Sequence, residues 1–207
     1  TRFITYCQRI AAILLLPAII AIVALMMKKD HQEPLIAYNE VTAPYGMVSS
    51  LTLPDSSKVW LNAGSTLKYP AAFTSNVREV EMSGEAYFEV HADKEHPFIV
   101  NTGDLKVTAT GTAFNICSFA KAQEEVITLV TGKVAVSQEN NIKHLLPGQQ
   151  LNYQRASKSM EITDIDTYKY ISWKDGILAF RDDPLKSIFN RLEQVYQVRF
   201  ILKDTSI

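Results

Sequence analysis

Hydrophobic and polar residues follow three successive patterns along this chain, and the first is an uninterrupted apolar run. Residues 10–27 contain only Ile, Ala, Leu, Val, Met and one proline. A helix of about 18 residues rises about 27 Å, close to the thickness of the hydrocarbon core of a bilayer. The run therefore predicts a helix that crosses a membrane once. Basic residues flank it on both sides, so charge alone does not determine its orientation.

A cleaved signal peptide is the alternative interpretation of this run. The run ends in Met26 and Met27 and continues with Lys28 and Lys29, where a signal peptide would have small residues at its cleavage site. We therefore expect an uncleaved anchor. Residues 28–40 are polar and show no clear period, which is typical of a short tether.

The second pattern, from residue 41 to 166, consists of short runs in which apolar and polar residues alternate. Apolar residues alternate on both sides of the Pro-Asp-Ser-Ser turn at residues 54–57, which predicts a β-hairpin. Similar runs recur at spacings of roughly 8–12 residues, separated by glycine and proline. The pattern indicates an all-β sandwich, barrel or solenoid, and we expect no helix within it.

The third pattern has the helical period. Asp183 is a favourable N-cap and Pro184 fits the first helical position. Strands are predicted on both sides of this helix, at residues 177–180 and 198–202, so residues 172–207 form a small β-α-β unit. Such a unit covers only one side of its helix, and we expect it to continue beyond residue 207. The helix has apolar residues on one face, at Leu185, Ile188, Phe189, Leu192, Val195 and Tyr196.

The chain is close to neutral, and its cysteines are few. The net charge is -1 over 207 residues and the sequence pI is about 6.4. Nucleic-acid binding would require a basic face, so we expect no nucleic-acid partner. Cys7 precedes the apolar run and Cys117 lies far beyond it, so a disulfide scaffold is not expected. Cys117 is interpreted as a small buried residue.

Four carboxylates could be interpreted as an acid and base pair on a β scaffold. Glu79 and Glu81 alternate with apolar residues, which favours a solvated strand face. Glu85 and Glu89 also fit an exposed face, with a structural carboxylate as the second possibility. No serine lies in a nucleophile motif, and the histidines have no metal-ligand spacing. We expect a protein without enzymatic activity, metal or cofactor.

Aromatic residues raise one alternative function. Trp60, Tyr69, Tyr87 and Phe88 could form a platform for stacking sugars, although core packing is the default interpretation in a β domain. A membrane-anchored envelope enzyme or glycan-binding module would need these side chains exposed in one groove. A structural adaptor of the envelope is a third, weaker interpretation.

Motifs distributed along the chain resemble those of a known family in order and spacing. They are VTAPYG at residues 41–46, LTLPDSSKVWLNAGS at 51–65, GEAYFEV at 84–90, PFIV at 97–100, GTAFN at 111–115, GKV at 132–134 and LPGQ at 146–149. Together they resemble the FecR family of transmembrane anti-sigma regulators. Ser56 departs from the glycine that is usual in that turn. WKDG at residues 173–176, followed by the β-α-β unit, is similar to the short N-terminal modules of secretins and TonB-dependent receptors.

The resemblance implies a function and an orientation. Residues 1–9 would be the remnant of a cytoplasmic segment that binds an extracytoplasmic-function sigma factor, and most of that segment would precede Thr1. Residues 10–27 would cross the inner membrane once. The β domain at residues 41–166 and the second unit would then be periplasmic. They would receive a signal from the signalling domain of a TonB-dependent outer-membrane transporter.

The second unit is the predicted site of partner contact. An incomplete β-α-β sheet has strand edges with free hydrogen-bonding groups, and an edge strand can pair with a strand of a partner. The alternative is that residues beyond 207 cover these edges. The predicted partner-binding residues are Trp173, Ile177, Phe180, Val198 and Phe200.

Overall fold

The computed structural model describes residues 15, 17–20 and 37–201 of the chain. Most of the predicted membrane span, at residues 10–27, and most of the tether lie outside these residues. Residues 15 and 17–20 are helical. Across the described part, no helix is both long and apolar enough to cross a membrane. The backbone forms two compact units, Thr1–Leu35 and Ile36–Ile207, and the second contains all the elements below.

The unit Ile36–Ile207 begins with thirteen β-strands, which confirms the prediction of a mainly β fold. No helix interrupts them between residues 41 and 164. The predicted hairpin is confirmed as β2 and β3, which pair antiparallel. The strands are β1 (Tyr38–Thr42), β2 (Ser49–Thr52), β3 (Lys58–Leu61), β4 (Thr66–Pro70), β5 (Arg78–Glu89), β6 (Phe98–Asn101), β7 (Lys106–Ala109), β8 (Ala113–Ser118), β9 (Glu124–Thr131), β10 (Val134–Gln138), β11 (Asn141–Leu145), β12 (Gln149–Gln154) and β13 (Ser159–Asp164).

The strands form a sandwich of two sheets that share one long strand. The first sheet has the order β1-β4-β5-β6-β7-β10-β11. The second has the order β2-β3-β5-β8-β9-β12-β13. Every pairing is antiparallel except that between β5 and β6. Of the three predicted architectures, the structure is the sandwich.

Strand β5 passes from one sheet to the other at Gly84. Residues before Gly84 pair with β4 and β6, and those from Gly84 onward pair with β3 and β8. Gly84 has a φ of 103°, a backbone angle that residues with a side chain rarely adopt. A Cβ atom there would lie 2.4 Å from the Ser65 Oγ atom. The same Oγ atom accepts a hydrogen bond of 2.7 Å from the Glu85 backbone N–H, so this crossing point has room only for glycine.

The core lies between the two sheets and is centred on aromatic rings. Phe88 stacks on Phe114 with ring centroids 5.2 Å apart, and its centroid lies 6.1 Å from that of Phe98. All three side chains are fully buried. The continuous cluster of buried hydrophobic residues runs from Ala43 to Tyr153 and includes no residue after β12.

The C-terminal segment, residues 172–201, follows a short helix, α1 (Tyr168–Ile171). It contains a 3₁₀ helix (Ser172–Asp175) and the helix α2 (Leu185–Tyr196). The predicted helix is therefore confirmed. Neither predicted flanking strand is formed within the described residues: 177–180 and 198–201 have no strand pairing. A strand requires a hydrogen-bonded neighbour, and the described residues supply none there.

The start of α2 differs from the prediction by one residue. Pro184 occupies the N-cap position, with φ −57° and ψ 140°, and the helix begins at Leu185. Asp183 does not cap it. Its carboxylate accepts hydrogen bonds from the Lys169 Nζ atom at 2.6 Å and the Arg181 backbone N–H at 3.0 Å. The predicted N-cap role of Asp183 is therefore wrong.

Candidate functional site

The candidate site is the interface where the C-terminal segment lies against the sandwich. Helix α2 contacts the sandwich with its polar face. Arg191 reaches strand β5, and Ser187 lines a cavity against β8 and β9. On the opposite face, Leu185 and Tyr196 are exposed, while Ile188, Phe189 and Leu192 are only half-buried. Most of the apolar face that the sequence predicts is thus not covered by the sandwich, although Val195, which belongs to that face, is buried.

Glu85 is the centre of the interface. Its carboxylate accepts hydrogen bonds from the Asn62 Nδ2 atom at 2.6 Å and from the Asn115 Nδ2 atom at 3.1 Å. It also forms an ion pair with the Arg191 Nη2 atom at 2.5 Å. Glu85 is only 3% exposed. Charged groups in such surroundings require partners, and these three donors supply them.

This finding corrects the prediction of an exposed Glu85. The segment from Gly84 to Phe88 is buried throughout, so the alternation of inward and outward residues fails there. A run without alternation indicates a strand that is covered on both faces, and this was the signal available in the sequence. Glu79, Glu81 and Glu89 are exposed, as predicted.

Trp173 forms the second polar contact of the interface. Its Nε1–H group donates a hydrogen bond of 3.2 Å to the Asn115 Oδ1 atom, and the side chain is 3% exposed. Asn115 therefore links Trp173 to Glu85. The Trp173–Asn115 and Arg191–Glu85 contacts join the 3₁₀ helix and α2 to adjacent strands of the same sheet, because Asn115 lies on β8 and Glu85 on β5.

We expect the substitution Trp173→Phe to loosen the 3₁₀ helix locally. It leaves the Asn115 Oδ1 atom buried without its donor, which costs about 1–3 kcal/mol. Hydrogen exchange of the Gly176 and Ile177 amides, which bond to the 3₁₀ helix, should accelerate about 5-fold or more. Trp60→Phe, on strand β3, is the matched control and should leave both exchange rates unchanged. Unaltered exchange in the Trp173 variant would contradict this role.

A cavity of about 280 Å³ separates the C-terminal segment from the second sheet. Glu85, Cys117 and Arg191 lie at its wall, and Phe180 and Tyr170 face them. Burial raises the pKa of the Cys117 thiol to about 12, and the nearby Glu85 carboxylate adds to this rise. The thiol is therefore protonated at neutral pH in this structure, which makes it a weak nucleophile. Cys117 is half-buried in this wall, whereas the sequence predicts a buried residue.

The predicted partner-binding residues fall into two groups. Trp173 is buried against Asn115. Ile177, Phe180, Val198 and Phe200 are between 39% and 49% exposed. Phe200 stacks on the half-buried Phe189 of α2, with ring centroids 4.7 Å apart. The four exposed residues all lie in the C-terminal segment, on its two extended parts. Sequence reasoning missed Asn62, Asn115 and Arg191, which hold the interface together.

The aromatic residues considered as a sugar platform are largely inside the protein. Tyr87 is 4% exposed and Phe88 is fully buried. Trp60 is half-buried and packs edge-on against Tyr87, with ring centroids 5.7 Å apart. Burial raises the pKa of the Tyr87 phenol to about 12, with Glu89 as the next cause. These side chains therefore do not form one open groove for a glycan.

Potential metal ligands do not converge in the part of the chain that the structure describes. It contains no group of three or more His, Cys, Asp or Glu side chains placed to hold a metal ion. His96 and Asp93 form an exposed pair at 2.8 Å in a loop, and the Asp93 pKa is lowered by that hydrogen bond.

Comparison with known proteins identifies relatives of this fold. The FecR protein family model matches residues 39–143, which span β1 to β11. Two crystal structures of a candidate anti-sigma factor from Parabacteroides distasonis ATCC 8503, at 2.50 Å and 1.65 Å resolution, are similar to this chain. Both are 34% identical to it, with a TM-score of 0.73. The first alignment covers 78% of this chain and 76% of that chain, and the second covers 77% and 75%. No curated protein matches the sequence significantly.

Proposed function

Because the chain belongs to the FecR family, we propose that it is the sensor part of a transmembrane anti-sigma factor. It relays a signal from a TonB-dependent outer-membrane transporter to an extracytoplasmic-function sigma factor. The family model, together with the likeness to the anti-sigma factor of P. distasonis, supports regulation rather than catalysis. The transporter and the sigma factor are the two partners that this proposal adds.

The proposal assigns a place to each part of the chain. Residues 10–27 cross the inner membrane, residues 1–9 are cytoplasmic, and the sandwich lies in the periplasm. The sigma factor then binds on the cytoplasmic side, and the transporter's signalling domain binds on the periplasmic side. Fusion of alkaline phosphatase after the C-terminal segment tests this orientation, because the enzyme is active only outside the cytoplasm. An inactive but intact fusion would overturn it.

The proposed site of transporter contact is based on exposed apolar residues of the C-terminal segment. The exposed apolar residues Ile177, Phe180, Val198 and Phe200 lie on two extended parts of the chain that lack strand partners in the described structure. Exposed apolar side chains on unpaired backbone are suited to strand pairing with a partner. The backbone supplies hydrogen bonds, and the side chains supply apolar contacts. The signalling domain of the transporter is the partner we propose for them.

We expect Phe180→Asp to weaken binding of the signalling domain at least tenfold, because a carboxylate would be desolvated where an apolar ring packs. Binding is measured between the full chain in detergent and purified signalling domains of the transporters from the same cell. Ile142→Asp is the matched control. Ile142 is also an exposed apolar residue, 57% exposed on the edge strand β11, and its substitution should leave binding unchanged.

Two outcomes would count against the proposal. Equal binding by the Phe180 and Ile142 variants, with both folded, would remove the C-terminal segment from the contact. Absence of binding to every signalling domain, by a folded full chain, would overturn the transporter as partner. Soluble glycans of the envelope would then be the next ligands to test.

A further inference from the structure

The C-terminal segment is attached to the sandwich without the hydrophobic core that stabilises the sandwich itself. No residue of the segment belongs to the hydrophobic core cluster. Among its described residues, only Trp173 and Val195 are buried hydrophobic side chains. Regions with few buried apolar contacts open at lower free energy than the core of the same protein. The segment therefore has little apolar burial to keep it in place.

Polar contacts hold the segment instead. The Arg191–Glu85 ion pair joins residues 106 positions apart, and Trp173 bonds to Asn115. One backbone hydrogen bond and two further ion pairs also join the segment to the rest of the protein. The Gly46 backbone N–H donates to the Val195 carbonyl at 2.8 Å, Lys169 pairs with Asp183 at 2.6 Å, and the exposed Arg181 pairs with Asp166 at 3.0 Å.

The interface is also incompletely packed. The cavity of about 280 Å³ lies directly between the segment and the sheet. The Ser172 Oγ atom is buried and has no hydrogen-bond partner among the described residues. The segment therefore lies over a cavity rather than against a closely packed apolar surface. Removing one partner of a buried ion pair leaves the other charge without compensation, so the Arg191–Glu85 pair is the contact whose loss favours opening most.

We propose that residues 172–201 form a latch that opens from the sandwich while the sandwich stays folded, and that the Arg191–Glu85 pair holds it closed. Opening carries Trp173 into water and uncovers Glu85 and Cys117 on the sheet. Ile177 and Val198 are exposed while the latch is closed, whereas the partly exposed Phe180 also lines the cavity beneath it. This inference concerns the chain alone and does not depend on the transporter as partner.

The test uses Trp173 as a built-in reporter. In the Trp60→Phe variant of the full chain, Trp173 is the remaining tryptophan. Its fluorescence should shift to longer wavelength at a lower urea concentration than that at which the far-ultraviolet circular dichroism of the sandwich is lost. Arg191→Met should move the fluorescence midpoint to still lower urea and leave the circular dichroism midpoint nearly unchanged. Arg181→Met, which breaks an ion pair exposed at 74% and 54%, is the matched control. Exposed pairs add little stability, so it should move the fluorescence midpoint much less than Arg191→Met does.

Coincident midpoints for fluorescence and circular dichroism, in both the parent and the Arg191 variant, would overturn the proposal. The segment and the sandwich would then unfold as one cooperative unit. A second measurement avoids denaturant. In a Cys7→Ser background, alkylation of Cys117 should be several-fold faster in the Arg191→Met variant, because the opened latch uncovers the cavity wall. Equal alkylation rates in native buffer would contradict a latch held closed by this pair.

Discussion

Replacing Glu85 by alanine is expected to lower the free energy of unfolding of the sandwich by about 2–5 kcal/mol. The amide groups of Asn62 and Asn115 would remain buried without their acceptor, and each such group costs about 1–3 kcal/mol. Both asparagines are at most 3% exposed, so water does not replace the carboxylate. Urea unfolding followed by circular dichroism measures the loss.

The control for this substitution lies on the same strand. Glu89 is exposed, four residues further along β5, and Glu89→Ala should change the stability by no more than about 0.5 kcal/mol. Similar losses for the two variants would show that Glu85 is not the structural centre described here. If only Glu85→Ala lowers the free energy of unfolding, the cause is the burial and hydrogen bonding of Glu85. A change in β propensity would affect both variants.

The substitution Gly84→Ala should destabilise the sandwich by about 2–6 kcal/mol, from two separate causes. The positive φ of 103° strains any residue with a side chain. The added Cβ atom would also lie 2.7 Å from the backbone Cα of Ser65, which cannot move as a flexible side chain can. Thermal or urea unfolding measures the effect, and near-wild-type stability would mean that β5 does not cross between the sheets as described.

Gly103→Ala separates these two causes. Gly103 has a nearly equal φ of 99°, but a Cβ atom there would meet nothing within 4 Å. Its substitution should therefore cost only the backbone strain, about 1–3 kcal/mol. The difference between the two glycine variants measures the steric clash with Ser65.

The sandwich could be predicted from the sequence because its signals are local. Alternation in strands such as β2 and β3, and turn residues between them, determine a β domain without knowledge of tertiary contacts. Buried charges were harder to predict. Glu85 is stabilised by Arg191, and Glu125, which is fully buried, by Arg155 at 3.0 Å. These partners are 106 and 30 residues away, so no local pattern connects them.

The amphipathic helix shows another limit of local patterns. The spacing of Leu185, Ile188 and Leu192 correctly predicts α2, and it identifies an apolar face. It does not predict what that face contacts. Helix α2 reaches the sandwich through Arg191, which lies beside the apolar face and pairs with the buried Glu85 carboxylate, and of the apolar face Val195 is buried. Residues 177–180 and 198–201 form no strand within the described structure for a related reason, since strand formation depends on a hydrogen-bonded neighbour.

The sharing of strand β5 between the two sheets has a consequence for the kinetics of folding. Neither sheet is continuous until β5 has paired with β3, β4, β6 and β8. The pairings of β5 with β3 and β8 join strands that are not consecutive in the chain, so their formation should limit the folding rate. We expect Phe88→Leu in β5 to slow folding, whereas Ile162→Val in the edge strand β13 should mainly accelerate unfolding. Chevron plots of the two variants would thereby locate the nucleus at the strand that both sheets require.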